Sequence, residues 1–133
     1  MEQAVPFEAD SSATHGLPTV LIVEDERISR KALTWLLAAH GFRPRAFETA
    51  EEALRAGPDD ARVALLDVDL PGMSGLELAE RLARQFPRLR VVLLTAVDAD
   101  RVKEFRRVHE VGYVRKPVHF PDLLRMLMAA TPN

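Results

Sequence analysis

The chain contains no cysteine, which removes a disulfide framework, a thiol nucleophile and thiolate-bound metal from consideration. It also lacks any apolar run near the ~20 residues that span a bilayer, and its first residues have neither the basic start nor the apolar core of a signal peptide. A cytoplasmic protein with no membrane attachment is expected. Excess charge of one sign is missing as well. The 18 Lys and Arg against 20 Asp and Glu leave a formal net charge of −2, so nothing general draws the chain to nucleic acid or anionic lipid. Any partner must be recognised locally. What is present is 133 residues, 47% hydrophobic and 29% charged, enough for one globular domain that buries a core without staples.

Residues 1–17 mix Pro, Gly, Ser and acidic residues with no helical or strand periodicity, and are expected to be a flexible extension. The folded domain is expected over 18–131. Within it, TVLIVE (19–24), VALLD (63–67) and VVLLT (91–95) are apolar enough to be strands buried on both faces of a parallel sheet. Weaker strands fit 42–47 and 111–115, and Pro44 assigns the former to an edge because proline cannot donate to a central ladder. Glu26 to His40 reads as a helix with Ile28, Leu33, Trp35, Leu36 and Ala39 on one face, stopped by Gly41. Thr49 with Glu52 and Ser74 with Glu77 fit capping boxes opening helices two and three. Asp98 to Glu110 and Pro121 to Ala130 read as helices four and five, with Pro121 suited to a first turn. Five strand–helix units of one crossover hand predict a doubly wound, five-stranded parallel sheet of α/β class, flavodoxin-like, with its ligand site at the carboxyl ends of the strands.

Three carboxylates, Glu24, Asp25 and Asp67, fall at the carboxyl ends of strands one and three. These strands flank the switch point of a sheet ordered 2-1-3-4-5. Three negative charges in one crevice call for a cation, and a hard, oxygen-seeking ion such as Mg²⁺ suits them. Thr95 at the end of strand four and Lys116 after strand five would face the same crevice, where a hydroxyl and an ammonium can pair phosphoryl oxygens. Glu26 is read instead as a solvated charge or helix cap. His15, His40, His109 and His119 show no catalytic or ligand spacing. Arg101, Lys103, Arg106 and Arg107 on the fourth helix interleave with Asp98, Asp100, Glu104 and Glu110, which favours a solvated or protein-docking face over nucleic-acid contact. Leu123, Leu124, Leu127 and Met128 are expected chiefly in the core.

VEDE (23–26), LLDVDLPGMSGLEL (65–78), LLTA (93–96) and GYVRKP (112–117) together resemble the boxes of response-regulator receiver domains of two-component signalling, over roughly residues 18–130. The resemblance implies that Asp67 accepts a phosphoryl group from a phosphohistidine, with Glu24, Asp25 and the backbone carbonyl of Asp69 completing a Mg²⁺ site. It implies that Lys116 pairs the phosphoryl group and that Lys116–Pro117 is a cis step. Thr95 and Tyr113 would form a switch pair that repacks helix four, strand five and helix five. The implied partners are a sensor histidine kinase or histidine phosphotransfer protein, a downstream protein of unknown identity, and a second copy through that same surface. Three departures stand out. Glu24 replaces the commoner aspartate, Asp69 puts a carboxylate two residues past the nucleophile, and the Thr95–Lys116 stretch is about one residue short of the common spacing, which points to a shifted or irregular fourth helix.

Two other functions fit parts of the pattern. LLDVDL also matches the opening of haloacid-dehalogenase-type phosphatases, but that motif belongs on a first strand and leaves Glu24 and Asp25 unexplained. A receiver scaffold that binds without phosphorylation would not need Asp25, Asp67, Thr95 and Lys116 together. The expectation is a stand-alone signalling domain, not an enzyme acting on external substrates, with no output module and no direct nucleic-acid binding.

Overall fold

In a computed structural model of the chain, residues 17–96 and 99–131 are described, the side chain of Ala99 excepted. The N-terminal extension, apart from Leu17, and the expected helix start at Asp98 lie outside the described residues. Leu17 is half-buried and packs against one of the two core layers.

The three apolar runs and the two weaker segments form strands β1 (Thr19–Val23), β2 (Arg43–Phe47), β3 (Val63–Asp67), β4 (Arg90–Thr95) and β5 (Gly112–Arg115). All pairs are parallel and the order is β2-β1-β3-β4-β5, the 2-1-3-4-5 arrangement expected. Every residue of β1 and β3 is buried, as their unbroken apolar runs require. Pro44 does sit on an edge strand, since β2 pairs only with β1.

Helices α1 (Arg27–Ala39) and α5 (Phe120–Ala130) cover one face of the sheet. Helices α2 (Ala50–Ala56), α3 (Gly75–Gln85) and α4 (Ala99–Arg106) cover the other. The Thr49 and Ser74 side chains accept hydrogen bonds from Glu52 N and Glu77 N, both at 3.1 Å, the hydroxyl half of each expected cap. Glu26 is the N-cap of α1, accepting from Ser29 N at 2.8 Å and Ile28 N at 3.3 Å. Gly41 takes φ +95° just past α1, and Pro121 lies in the first turn of α5.

The structure departs from the sequence reading at three places. The buried face of α1 is Leu33 and Leu37, flanked by half-buried Leu36, whereas Ile28, Trp35 and Ala39 are exposed. Leu37 lies one step from Leu33 around the helix and turns the stripe away from Trp35. Met128 is exposed on α5, while Leu123 and Leu127 carry the packing. Helix α4 stops at Arg106, short of Glu110. Residues 107–109 form a turn, in which His109 N bonds back to Phe105 O at 3.0 Å and the His109 ring stacks on Phe105 with centroids 4.3 Å apart.

Candidate functional site

The crevice lies where β1, β3, β4 and β5 end, and the chain's own backbone bonds set its walls. Glu24 N donates to Phe47 O at 3.1 Å, Val68 N to Leu94 O at 2.8 Å, and Lys116 N to Thr95 O at 2.8 Å. These bonds carry the parallel ladder one step past each strand. Glu24 therefore turns inward at 1% exposure, Asp67 is buried near it, and Thr95 is buried at the end of β4. Arg30 of α1 reaches back to the carbonyls of Glu24 at 2.9 Å and Asp25 at 3.3 Å, pinning the loop that carries both acids.

Three expected ligands meet here. Glu24, Asp25 and Asp67 each offer one oxygen, and the three oxygens lie within 4.8 Å of one another. Lys116 reaches between two of them, its Nζ 2.8 Å from Asp67 Oδ2 and 3.1 Å from Glu24 Oε1. Its peptide bond to Pro117 is cis. The second Asp67 oxygen accepts from Asp69 N at 3.0 Å, and the second Glu24 oxygen accepts from Glu26 N at 3.0 Å. Glu24 Oε1 is buried without an aligned hydrogen bond, despite its nearness to the ammonium. A buried carboxylate oxygen in that state is costly and remains available to a cation.

Burial, the Asp67 charge and these contacts act together on the titrating groups. Desolvation pushes the Glu24 carboxyl above its ordinary 4.5; the Glu26 N–H opposes this, the Asp67 charge reinforces it, and Lys116 opposes it. For Lys116, desolvation pulls downward, but the hydrogen bond to Asp67, the close contact with Glu24 and the charges of both outweigh it and lift the ammonium above its ordinary 10.5. Lys116 thus stays charged, as a group facing an anion must.

The other expected residues lie outside this carboxylate–lysine cluster. Asp69 is exposed and its carboxylate faces Arg101 of α4 at 3.5 Å. Tyr113 on β5 is half-buried with the Arg106 guanidinium 5.0 Å over its ring, and Arg106 Nε also donates to Val111 O at 3.0 Å. Arg107 pairs with Glu104, in keeping with the mixed, solvated face expected of α4.

Supports that the sequence did not disclose hold the loop after Asp67. Glu51 of α2 accepts from Met73 N at 2.8 Å, which pulls its carboxyl below 4.5. Gly72 has φ +74°, and a Cβ there would lie 2.6 Å from Glu51 Oε2. Gly75 opens α3 so close to β3 that a Cβ would lie 2.0 Å from Asp67 O. The two glycines of LPGMSG were the available signal; Glu51, 22 residues from Met73, left none.

An all-oxygen donor set with three carboxylates against one ammonium fits a small, hard divalent cation. A doubly wound parallel sheet with such a crevice at its switch point, a buried acid bonded to a lysine there and a buried threonine ending the next strand defines the class of receiver-like α/β domains. A family model described as the response regulator receiver domain matches residues 20–128, and the chain belongs to that family. It is 38% identical over 109 residues to a cyclic di-GMP phosphodiesterase of Thermotoga maritima, covering 81% of this chain and 29% of that protein. It is 38% identical over 123 residues to the positive alginate biosynthesis regulatory protein of Pseudomonas aeruginosa, covering 86% of this chain and 48% of that one. The chain therefore spans less than half of either relative, whose names describe whole proteins. Among solved structures, a CheY-like receiver domain from Methanospirillum hungatei superposes with TM-score 0.79 at 27% identity, covering 85% and 92% of the two chains. The response regulator TrrA from Thermotoga maritima, in complex with Mg²⁺-BeF, superposes with TM-score 0.76 at 28% identity, covering 86% and 99%. The chain is thus a receiver domain of the two-component response-regulator family, a signalling class.

Proposed function

We propose that this domain is a magnesium-dependent phospho-acceptor switch in which Asp67 takes a phosphoryl group from a histidine kinase or histidine phosphotransfer protein. The observation that carries the reading is the buried Asp67 carboxylate, grouped with Glu24 and Asp25 and held by Lys116 Nζ at 2.8 Å. An Asp67 oxygen attacks the phosphorus, the bond from phosphorus to the donor's imidazole nitrogen breaks, and the imidazole leaves with its electron pair. Glu24, Asp25, Asp67 and the carbonyl of Asp69 would hold Mg²⁺, which when bound supplies positive charge to the transferring phosphoryl oxygens. That the similar TrrA receiver is described with Mg²⁺-BeF supports this assignment.

Lys116 has two tasks in this scheme. Before transfer its ammonium offsets the Glu24 and Asp67 charges, and during transfer it shifts to pair a phosphoryl oxygen. Thr95, at the adjoining strand end, donates its hydroxyl to another. Movement of Thr95 toward the phosphoryl group leaves room behind it for the Tyr113 ring, which must first part from Arg106. The face of α4, β5 and α5 changes accordingly, and it is there that a downstream protein or a second copy binds. The domain works in the cytoplasm as a signalling element, without turnover of an external substrate.

The test is intact mass after incubation with a small phosphoramidate donor. Wild type gains one phosphoryl group only when Mg²⁺ is present, and Asp67→Asn gains none. A folded, Mg²⁺-binding wild type that gains nothing would instead point to an interaction module that works without phosphorylation.

A further inference from the structure

At the pole opposite the acidic crevice, where β3 and β4 begin, a cleft of about 650 Å³ opens between the end of α3 and the end of α5. Its lining includes apolar Ala61, Phe86, Leu89 and Ala130, and Arg62, Arg88 and Arg90 stand exposed around it. Arg90 N bonds to Arg62 O at 2.9 Å, so two of the arginines are ladder neighbours. None of the three has an ion-pair partner among the described residues. The cleft's own acids are engaged elsewhere: Asp60 pairs with Arg43 at 3.1 Å and Asp59 with Arg45 at 3.6 Å. The cleft thus combines an apolar lining with uncompensated positive charge, which suits an acidic segment carrying an apolar anchor.

The chain supplies one. Residues 1–16 hold Glu2, Glu8 and Asp10, no Lys or Arg, and the apolar run Val5-Pro6-Phe7. This segment joins the fold beside the cleft, because Arg62 N donates to Thr19 O at 3.2 Å. The ten residues from Phe7 to Leu17 can extend roughly 33 Å, far more than the start of one strand to its neighbour at about 5 Å. Tethering at that range gives the segment an effective concentration near the millimolar range, which an untethered ligand rarely matches.

We propose that this cleft is the docking site of the chain's own residues 2–10, with Phe7 as the apolar anchor and the three acids facing Arg62, Arg88 and Arg90. Docking lies a strand's length, about 17 Å, from Asp67, so it stands or falls independently of the phospho-acceptor reading.

The absence of native cysteine makes disulfide trapping in the full chain a clean test. Ala9→Cys is combined with Gln85→Cys at the cleft, or with Ala38→Cys beside the groove at Trp35; both partners are exposed. The proposal expects the cleft pair to close within one chain about tenfold faster than the control pair. Replacing Arg62, Arg88 and Arg90 with Gln should bring its rate down to the control's. Equal rates, faster closure at Ala38, or a cleft rate unmoved by the arginine substitutions would overturn it. Disulfides formed only between chains would also overturn it, in favour of a second copy as occupant.

Discussion

Lys116 stands between two buried carboxylates, and removing it leaves Glu24 and Asp67 facing each other with only backbone donors. Lys116→Met should cost about 2–3 kcal/mol at neutral pH, measured by urea unfolding. Added Mg²⁺ should narrow the gap to wild type, because a cation bound only by the folded state stabilises it. An unchanged midpoint would contradict the ion-pair account. The surface pair Asp69–Arg101, both more than half exposed, is a different case. Arg101→Ala should change stability by less than about 0.5 kcal/mol.

Two carboxyls on the outside give the pH behaviour. Hydrogen bonds from Ser29 lower Glu26, and the Met73 N–H lowers Glu51, each below 4.5. Because the folded pKa is the depressed one, each contributes stability that is present above about 4.5 and lost as pH falls through the folded value. Carbon-13 titration of the two side chains should give midpoints below 4.5, and a midpoint at or above that value would remove the cap at α1 or the tether at Met73.

At the scale of elements, the approach of α3 to the end of β3 governs the site. Gly75→Ala would drive a Cβ to 2.0 Å from the Asp67 carbonyl, so either α3 or the loop must move. The expected cost is roughly 3 kcal/mol, and Mg²⁺ affinity should fall with it. Ser74→Ala, by contrast, removes only the cap hydroxyl and should cost about 1 kcal/mol. A Gly75→Ala protein as stable as Ser74→Ala would show that the close approach is not required.

The elements also mark what a sequence can disclose. Unbroken apolar runs, Thr49, Ser74 and Pro44 express local rules, and the structure follows them at β1, β3, α2, α3 and β2. The acid–lysine–threonine set was legible because strand ends converge in any sheet of this order. The end of α4 was not, because residues 107–110 carry no glycine or proline to mark the stop. Nor were the supports from Glu51 and Arg30, which depend on how α2 and α1 lie over the loops they touch. Trp35 was misplaced because two adjacent apolar stripes compete on α1, and only packing selects Leu33 and Leu37.

For the whole molecule, two core layers on the faces of one sheet predict a single cooperative transition by far-UV circular dichroism. The sole tryptophan, Trp35, is 71% exposed, so its native emission should lie close to that of the unfolded chain. A strongly blue-shifted native emission would mean that α1 is rotated from the position described. The central claim concerns Asp67, and borohydride trapping tests it most directly. The protein is phosphorylated with Mg²⁺ and a small donor, reduced so that an acyl phosphate becomes an alcohol, digested and mapped by mass. The account predicts conversion of Asp67 to homoserine and no change at Glu24, Asp25 or Asp69. Reduction at any of those three, or at no carboxylate in a phosphorylated sample, would contradict it.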